Sequence, residues 1–229
     1  METANKKLQV QRIFDSISHK YDFLNHLLSA GIDFYWRKKA IKYSSLDKNS
    51  ILLDIACGTG DFAITAKKSG VKNIFGADLS FNMLSLFNKK VDWVIGKTTE
   101  CVAEHLPFKN DSFTNITVAF GVRNFYDIPT AFMEFKRVLK NNGKATVLEF
   151  RLPQNIFIRK FYLFYFKNIL PLIGKLISKD PEAYTYLPES VEDFDKKVDL
   201  KKIFYDCGFN DVKKYSLTFG LVQVVIATK

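Results

Sequence analysis

Short apolar runs alternate along the middle of the chain with segments whose apolar residues recur at helical spacing. The apolar runs predict β-strands, and the periodic segments between them predict amphipathic helices. The predicted strands are 51–56, 73–78, 115–120 and 144–150, and the predicted helices are 61–69, 81–89 and 129–140. Because strands and helices take turns, we expect an α/β fold with a mostly parallel sheet.

Both ends of the chain depart from this alternation. Residues 8–44 are predicted to be helical, with a loop or broken helix at Tyr21–Gly31. The last stretch, Val212–Lys229, alternates around Phe219 and Gly220, which predicts a closing antiparallel hairpin. We therefore expect N-terminal helices in front of a sheet that ends in this hairpin.

Two stretches in the middle of the chain have less regular patterns. A third strand is expected within 91–103, where Val91–Ile95 and Thr99–Ala103 both qualify, and the pattern does not choose between them. Asn141–Gly143 is expected to end the helix before it through a left-handed cap. With the third strand and the hairpin included, the expected sheet has seven strands.

Residues 151–195 interrupt the alternation with a segment that is rich in aromatic residues. Ile156–Leu170 also carries Arg159, Lys160 and Lys167, and it is too short and too charged to span a bilayer. A basic, aromatic helix of this kind can lie in the membrane interface. It can equally pack over the sheet as a lid, and the sequence leaves both interpretations open.

Composition indicates a single domain over residues 1–229, with an N-terminal helical cap at 1–45 and an insertion at 151–195. The cysteines at 57, 101 and 207 and the histidines at 19, 26 and 105 are widely spaced, so neither a disulfide framework nor a metal site is expected. Together with an N-terminus that lacks a signal-peptide core, this favours a cytoplasmic location. The net charge of +10 comes from dispersed lysines, so no nucleic-acid partner is expected.

The strongest local signal is a turn rich in glycine between the first predicted strand and its helix. Gly58 and Gly60 follow the apolar run Ile51–Ala56, and Asp78 ends the next predicted strand. Glycines allow a backbone to approach a ligand closely, and a carboxylate at the end of the second strand suits a ribose diol. The arrangement predicts a nucleotide site, although a sharp turn with Asp61 as a helix cap is the structural alternative.

The identity of the nucleotide depends on the charges around the turn. Gly58, Gly60 and Ala63 satisfy the loose dinucleotide fingerprint, so NAD is a real competitor. Asp61, however, puts a carboxylate at the helix N-terminus, where a pyrophosphate would require positive potential. Asp54 also stands inside the first strand, where dinucleotide folds usually have an apolar residue. The acids suit S-adenosylmethionine, which carries a sulfonium and an ammonium group but no phosphate.

Ligands of open α/β sheets bind at the carboxyl ends of the strands. In this chain that edge contains 58–60, 78, 102–104 and 119–124, which we expect to form the site.

Over nearly its whole length the chain resembles the C-methyltransferases of menaquinone and ubiquinone biosynthesis. The segments that carry the resemblance are Tyr21–Asn25 with Leu28–Ile32 and Trp36, Asp54–Asp61, Ala103–Phe108 with Asp111–Phe113 and Phe120–Asn124, and Arg137–Lys140 with Gly143, Leu148–Phe150, Gly174–Lys179 and Tyr184–Ser190. The glycine turn is shared by many methyltransferases. The first segment, Phe120–Asn124 and Tyr184–Ser190 are much narrower signals.

The resemblance implies a Rossmann-like class I methyltransferase fold and transfer of a methyl group from S-adenosylmethionine to a polyprenylated quinol. The residues expected to bind the cofactor are Asp54, Gly58, Thr59, Gly60, Asp78, Leu79, Val102, Ala103 and Ala119. Thr59 and Gly60 would contact the methionine part, and Asp54 would hold the loop. Position 102 is usually Asp or Asn in the family and would reach the adenine, but this chain has Val102.

Methylation of a ring carbon requires an electron-rich ring, which removal of a hydroxyl proton provides. A phenol titrates near pH 10, so the site must favour the anion. The resemblance implies that Arg123 stabilises this oxyanion, while Asn124 and Tyr21 orient the ring or relay the proton. Each residue also has a structural alternative. Arg123 can form a salt bridge at the strand end, Asn124 can form a turn, and Tyr21 can be a capped aromatic residue of the core.

The naphthoquinol of the menaquinone pathway is the preferred acceptor, and a polyprenyl-benzoquinol of the ubiquinone pathway stays open. Methylation of sterols or small phenols is a further alternative. Because the acceptor carries a polyprenyl tail, we expect peripheral contact with the inner face of the cytoplasmic membrane. The oligomeric state is not readable from the sequence.

Overall fold

The computed structural model describes residues 10–12, 14–16, 18, 22, 26, 29–169 and 182–229, with the backbone alone at 182–185. The strands are β1 (Ile51–Ile55), β2 (Asn73–Asp78), β3 (Thr98–Glu100), β4 (Phe113–Ala119), β5 (Leu139–Phe150), β6 (Asn210–Leu217) and β7 (Val222–Thr228). The helices are α1 (Ile32–Ser44), α2 (Asp61–Lys68), α3 (Phe81–Lys90), α4 (Ile128–Val138), α5 (Ile156–Phe164), α6 (Glu182–Lys197) and α7 (Leu200–Asp206).

The described strands form one seven-stranded sheet in the order β3-β2-β1-β4-β5-β7-β6. Strands β1 to β5 are parallel to one another, and β7 pairs antiparallel with both β5 and β6. The order reverses at β1, so β2 and β4 lie on either side of it. The expected α/β fold with a mostly parallel sheet closed by a hairpin is confirmed.

Both faces of the sheet are covered around β1, which explains why this strand, apart from Asp54, is an apolar run without alternation. In β1, Leu52 packs into the cluster that contains Phe62 and Phe87 from α2 and α3. Its neighbour Leu53 packs into the opposite cluster, which contains Phe132 from α4. Successive side chains of a strand point to opposite faces, so a strand that is buried on both sides is apolar throughout.

The structure decides where the third strand lies and corrects the predicted end of α4. β3 coincides with part of the Thr99–Ala103 alternative, while residues 92–94 form a 3₁₀ turn. The prediction that α4 reaches residue 140 was wrong, because Leu139 is extended (ψ 140°) and already pairs with Phe113. Asn142 does adopt a left-handed backbone (φ 61°), but it lies within β5, next to an irregularity in the pairing with β4, and caps no helix.

The aromatic insertion has two different faces in its described part. Tyr162 and Phe166 are buried against Leu152 and Val191, and their rings lie 4.3 Å apart. Phe157, by contrast, is 79% exposed, and Phe161 and Phe164 continue the same exposed stripe at helical spacing. Within the described residues, no helix is long and apolar enough to cross a membrane.

Candidate active site

A cavity lies at the carboxyl ends of β1, β2, β3 and β4. It contains about 780 Å³ of space, counting the part that is open to solvent. Its lining comes from the loops after these strands and from the N-terminal segment: Val10, Gln11, Phe14, Ile55, Ala56, Gly58, Asp78, Leu79, Ser80, Met83, Cys101, Val102, Ala103, Glu104, Ala119, Phe120, Gly121, Asn124, Phe125 and Tyr126. The cavity therefore lies at the edge where the sequence predicts a ligand.

Asp78, the last residue of β2, is held in place by backbone donors. Its Oδ2 accepts a hydrogen bond from the Gly58 N–H at 2.7 Å, and its Oδ1 accepts one from the Ser80 N–H at 2.9 Å. Burial raises the pKa of this carboxyl above its ordinary value. The carboxylate thus joins the glycine turn to the loop after β2 and presents a fixed acceptor to the cavity.

The glycine turn has a structural requirement in addition to ligand approach. Gly60 adopts φ +86°, and a Cβ there would lie 2.1 Å from the ring of Phe87. Packing against α3 therefore accounts for Gly60 without any ligand. Gly121 allows a second close approach, because its Cβ would lie 2.6 Å from that of Ala56. These small residues bring the ends of β1 and β4 together below the cavity.

Thr59 and Asp61 lie in a charged cluster outside the cavity lining. The Lys90 ammonium donates to Thr59 Oγ1 at 2.9 Å and to Asp61 Oδ1 at 3.0 Å. Arg37 Nη2 lies 3.6 Å from the other carboxylate oxygen of Asp61. Both cations also pair with a second acid, Lys90 with Asp22 and Arg37 with Asp33, so the charge of Asp61 is only partly compensated.

Asp54 lies beneath the turn and is 1% exposed. Its Oδ1 accepts a hydrogen bond from the Thr117 hydroxyl at 2.7 Å, which ties β1 to β4. Burial raises the pKa of this carboxyl to about 7. It lies outside the residues that line the cavity, and its expected part in holding the loop stays a prediction.

Arg123 lies in the 3₁₀ turn after β4 and is paired with a buried acid. Its Nη1 donates to Glu149 Oε1 at 2.9 Å, and its backbone N–H donates to Glu149 Oε2 at 3.3 Å. Glu149 is fully buried, and the Nε of Arg123 lies 3.3 Å from the Ser190 hydroxyl. The structure thus realises the salt-bridge alternative, and the role of Arg123 at an oxyanion stays a prediction.

Asn124 is the residue of this turn that lines the cavity. The Tyr186 hydroxyl, from α6, donates to its Oδ1 at 2.9 Å. Because this bond uses the carbonyl end of the amide, it orients the Nδ2 donor group for an acceptor. The insertion therefore reaches the site through Tyr186, and Arg123–Glu149 holds the turn that presents Asn124.

Three residues to which the sequence pattern assigns no individual role line the cavity or hold predicted site residues in place. Glu104 lines the cavity, and its Oε1 accepts from the backbone N–H groups of Tyr126 and Asp127 at 2.8 and 3.1 Å. Glu149 and Tyr186 hold Arg123 and Asn124. All three lie within the segments that carry the family resemblance, which was the available signal.

The structure brings most of the predicted site residues together. Those that line the cavity are Gly58, Asp78, Leu79, Val102, Ala103, Ala119 and Asn124. Those placed outside its lining are Asp54, Thr59, Gly60 and Arg123. Tyr21 lies outside the described residues. The part of each residue in binding or catalysis stays a prediction.

The cavity fits S-adenosylmethionine better than a dinucleotide. Asp78 offers a charged acceptor for a diol, and Leu79, Met83 and Val102 offer apolar walls for a base. None of the described lining residues is Lys or Arg, whereas Asp78 and Glu104 contribute carboxylates. This environment favours a cationic ligand over a pyrophosphate.

The comparisons with known proteins agree with this interpretation. The fold is similar to that of a SAM-dependent methyltransferase from Thermotoga maritima, with a TM-score of 0.64, 19% identity and coverage of 95% of this chain and 99% of that one. A SAM-dependent methyltransferase from Aquifex aeolicus gives a TM-score of 0.58 at 16% identity, covering 84% and 88%. These two likenesses show the fold, which is that of the class I methyltransferases.

The sequence comparisons are more specific. Demethylmenaquinone methyltransferase from Chlorobaculum parvum is 41% identical over 238 residues, covering 100% of this chain and 98% of the relative. The ubiquinone/menaquinone biosynthesis C-methyltransferase UbiE from Geotalea uraniireducens is 38% identical over 234 residues, covering 99% and 98%. Residues 1–229 match the ubiE/COQ5 methyltransferase family as a whole. The chain belongs to this family, which confirms the resemblance.

Proposed function

We propose that this enzyme transfers a methyl group from S-adenosylmethionine to a ring carbon of a polyprenylated quinol, with demethylmenaquinol as the preferred acceptor. The observation that carries the proposal is that Asp78 and Asn124 line the same cavity. One side chain suits the ribose of the methyl donor, and the other suits an oxygen on the acceptor ring. The full-length relatives named demethylmenaquinone methyltransferase support this choice of acceptor.

Asn124 is proposed to orient the acceptor ring. Its Oδ1 is engaged by Tyr186, so its Nδ2 group can donate to a ring oxygen. S-adenosylmethionine, when bound, supplies an electrophilic methyl group. A donor aimed at the developing oxyanion stabilises it by about 3 kcal/mol in comparable sites. The amide thereby positions the ring and favours its anionic, nucleophilic form.

Arg123 is proposed to support the same anion with its positive charge. Its pairing with Glu149 supplies a countercharge, so its contribution is smaller than that of an unpaired cation at the same place. The pair also fixes the turn from which Asn124 projects, which is the function that its hydrogen bonds support most directly. Tyr21 stays a proposed member of the site on the strength of the family resemblance.

We further propose that the enzyme docks on an anionic membrane surface through the exposed stripe of α5. Phe157, Phe161 and Phe164 are 79%, 76% and 58% exposed, and Lys160 is exposed beside them, while Lys167 pairs with Glu192 at 2.7 Å. Aromatic residues that insert at the headgroup level, with cations near anionic lipid, bind such surfaces. Docking would let the head group enter the protein while the polyprenyl tail stays in the lipid.

A polyprenyl-benzoquinol is the second candidate acceptor, because relatives are named for both quinone pathways. The test is transfer of a labelled methyl group to demethylmenaquinol and to demethylated polyprenyl-benzoquinol, side by side, with detergent and reductant. Faster transfer to demethylmenaquinol is expected. A higher rate with the benzoquinol would assign the other pathway, and transfer to neither would overturn the proposed substrate class.

A further inference from the structure

The N-terminal segment forms part of the wall of the cofactor cavity. Val10, Gln11 and Phe14 line the cavity together with Leu79 and Val102. Two side-chain contacts hold the segment to the loop after β2: Gln11 Nε2 donates to the Leu79 carbonyl at 3.4 Å, and the Ser80 hydroxyl donates to Asp15 Oδ1. These contacts place the carboxamide of Gln11 next to the residue that follows Asp78.

The polar groups around this part of the cavity are mostly engaged. Ser80 Oγ bonds Asp15 and also accepts from the Met83 N–H at 3.1 Å, while Glu104 accepts from two backbone N–H groups. Val102, in the loop after β3, has only an apolar side chain. Gln11 is thus a neutral polar side chain close to the apolar walls that suit a purine.

The bond to Leu79 also sets the orientation of the carboxamide. Because the Nε2 donor is directed to the Leu79 carbonyl, Oε1 is the atom that can meet a ligand. An amide oxygen accepts a hydrogen bond from an exocyclic amine, as the 6-amino group of adenine provides. It offers nothing favourable to a 6-oxo group, which is itself an acceptor.

We propose that Gln11 is a specificity-determining residue for the cofactor, and that its Oε1 accepts a hydrogen bond from the 6-amino group of adenine. The apolar side chain of Val102 cannot form this hydrogen bond from the loop after β3. Gln11 forms it from the N-terminal segment. The inference concerns binding of the cofactor and does not depend on which quinol is methylated.

Calorimetry on the full-length protein tests this inference with two product analogues, S-adenosylhomocysteine and S-inosylhomocysteine. They differ on one edge of the purine: the adenosyl compound has an amino group at position 6 and a bare N1, and the inosyl compound has an oxo group at position 6 and an N1–H. The wild type is expected to bind the adenosyl compound at least about tenfold more tightly, since the other analogue loses the hydrogen bond to the half-buried Oε1 and sets one acceptor against another. Gln11→Leu is expected to lose most of this preference through weaker binding of the adenosyl compound. Gln154→Leu, at an exposed position, is the matched control and should bind as the wild type does.

The result that would overturn the proposal is a preference that Gln11→Leu retains. Equal weakening of both analogues would mean that Gln11 only holds the segment against Leu79, and would overturn it as well. A wild type that does not distinguish the two analogues would contradict base recognition altogether. Thermal unfolding of each variant establishes that a change in binding is not a loss of fold.

Discussion

Asp78 carries two backbone hydrogen bonds before it meets any ligand, and this determines how its substitution should be designed. Asp78→Ala removes the charged acceptor and also releases the Gly58 and Ser80 N–H groups. Asp78→Asn keeps an acceptor and most of the shape but removes the charge. Comparing the two therefore separates the charge from the geometry of the loop.

We expect Asp78→Ala to weaken binding of S-adenosylhomocysteine by more than about tenfold, with Asp78→Asn between it and the wild type. Because burial raises the pKa of Asp78, wild-type affinity should fall as the pH is lowered, when the carboxylate takes up a proton. Calorimetry over a pH series measures both effects. Asp92→Ala, at an exposed position, is the control, and unchanged affinity in Asp78→Ala would remove Asp78 from the site.

Asp54 makes a separate prediction about stability. Its pKa is about 7 in the folded protein and near 3.8 in its ordinary state, so between these values the folded form holds a proton that the unfolded form has lost. Stability contributed by this group must then fall as the pH rises through that window. The Tm of Asp54→Asn relative to wild type should rise by at least about 2 °C between about pH 5 and pH 8. A Tm difference that does not change with pH would contradict the buried, protonated carboxyl.

The Arg123–Glu149 pair requires a double substitution, because a single one leaves a charge buried. Arg123→Ala strands Glu149, at a cost of about 3–5 kcal/mol in comparable pairs, so lost activity could reflect lost structure. Arg123→Gln with Glu149→Gln removes both charges together. We expect this double variant to fold, to keep the affinity for S-adenosylhomocysteine within about threefold, and to lose about 100-fold in turnover. A double variant with most of its turnover would reject the oxyanion role and leave Arg123 as a positioning residue.

At the scale of elements, helix α5 separates the two interpretations of the insertion by its two faces. Its buried face packs Tyr162 on the protein, as a lid would, while its exposed face presents Phe157 and Phe161 at 79% and 76% exposure. Hydropathy could not distinguish these faces, because both are aromatic. Only the packing shows which rings have protein neighbours.

The exposed face predicts binding to lipid. Phe157→Ser with Phe161→Ser should abolish most co-flotation with anionic vesicles, because the rings that would insert are gone, while cofactor binding is retained. Met133→Ser with Tyr205→Ser removes comparable exposed apolar residues from α4 and α7 and should leave flotation unchanged. Wild-type protein that does not float with anionic vesicles would favour a lid without membrane contact.

Element boundaries were predictable where local chemistry determines them and not where pairing does. The end of β2 at Asp78 was predicted to the residue, and β1 ends at Ile55, one residue before the predicted Ala56, because a glycine turn follows the apolar run. The end of α4 could not, because Asn141–Gly143 is typical of a helix cap. Leu139 pairs with Phe113, so β5 begins before the predicted cap, and the left-handed Asn142 lies within the strand.

At the scale of the whole molecule, the sequence predicts the sheet and the cavity edge well but not the orientation of side chains around it. Neighbours such as Arg123 and Asn124 diverge, one toward Glu149 and the other toward the cavity. Thr59 similarly turns to Lys90. These choices depend on partners far along the chain, which spacing does not reveal. Gln11 illustrates the same limit, since it reaches the cavity across a separation of 68 residues from Leu79.

Several exposed lysines are paired with acids, which agrees with the sequence-based interpretation that the lysines are dispersed and do not form a basic patch. Lys197, Lys202 and Lys213 each lie within 3 Å of a neighbouring acid, at 2.6, 2.6 and 2.9 Å. Such exposed pairs contribute little to stability, but they reduce the positive potential of the surface that carries them. The expectation of no nucleic-acid partner stays a prediction that this distribution supports.

Transfer of a labelled methyl group to demethylmenaquinol, measured for the wild type and for Asn124→Ala in parallel, is the sharpest test of the claim that this enzyme methylates a quinol. We expect a methylated quinol from the wild type. We also expect at least about tenfold slower turnover in the variant, because the quinol loses its hydrogen-bond donor, with unchanged affinity for S-adenosylhomocysteine, because Asp78 and the glycine turn are kept. A wild type that binds S-adenosylhomocysteine but methylates no quinol would contradict the claim, as would a variant whose turnover is unchanged.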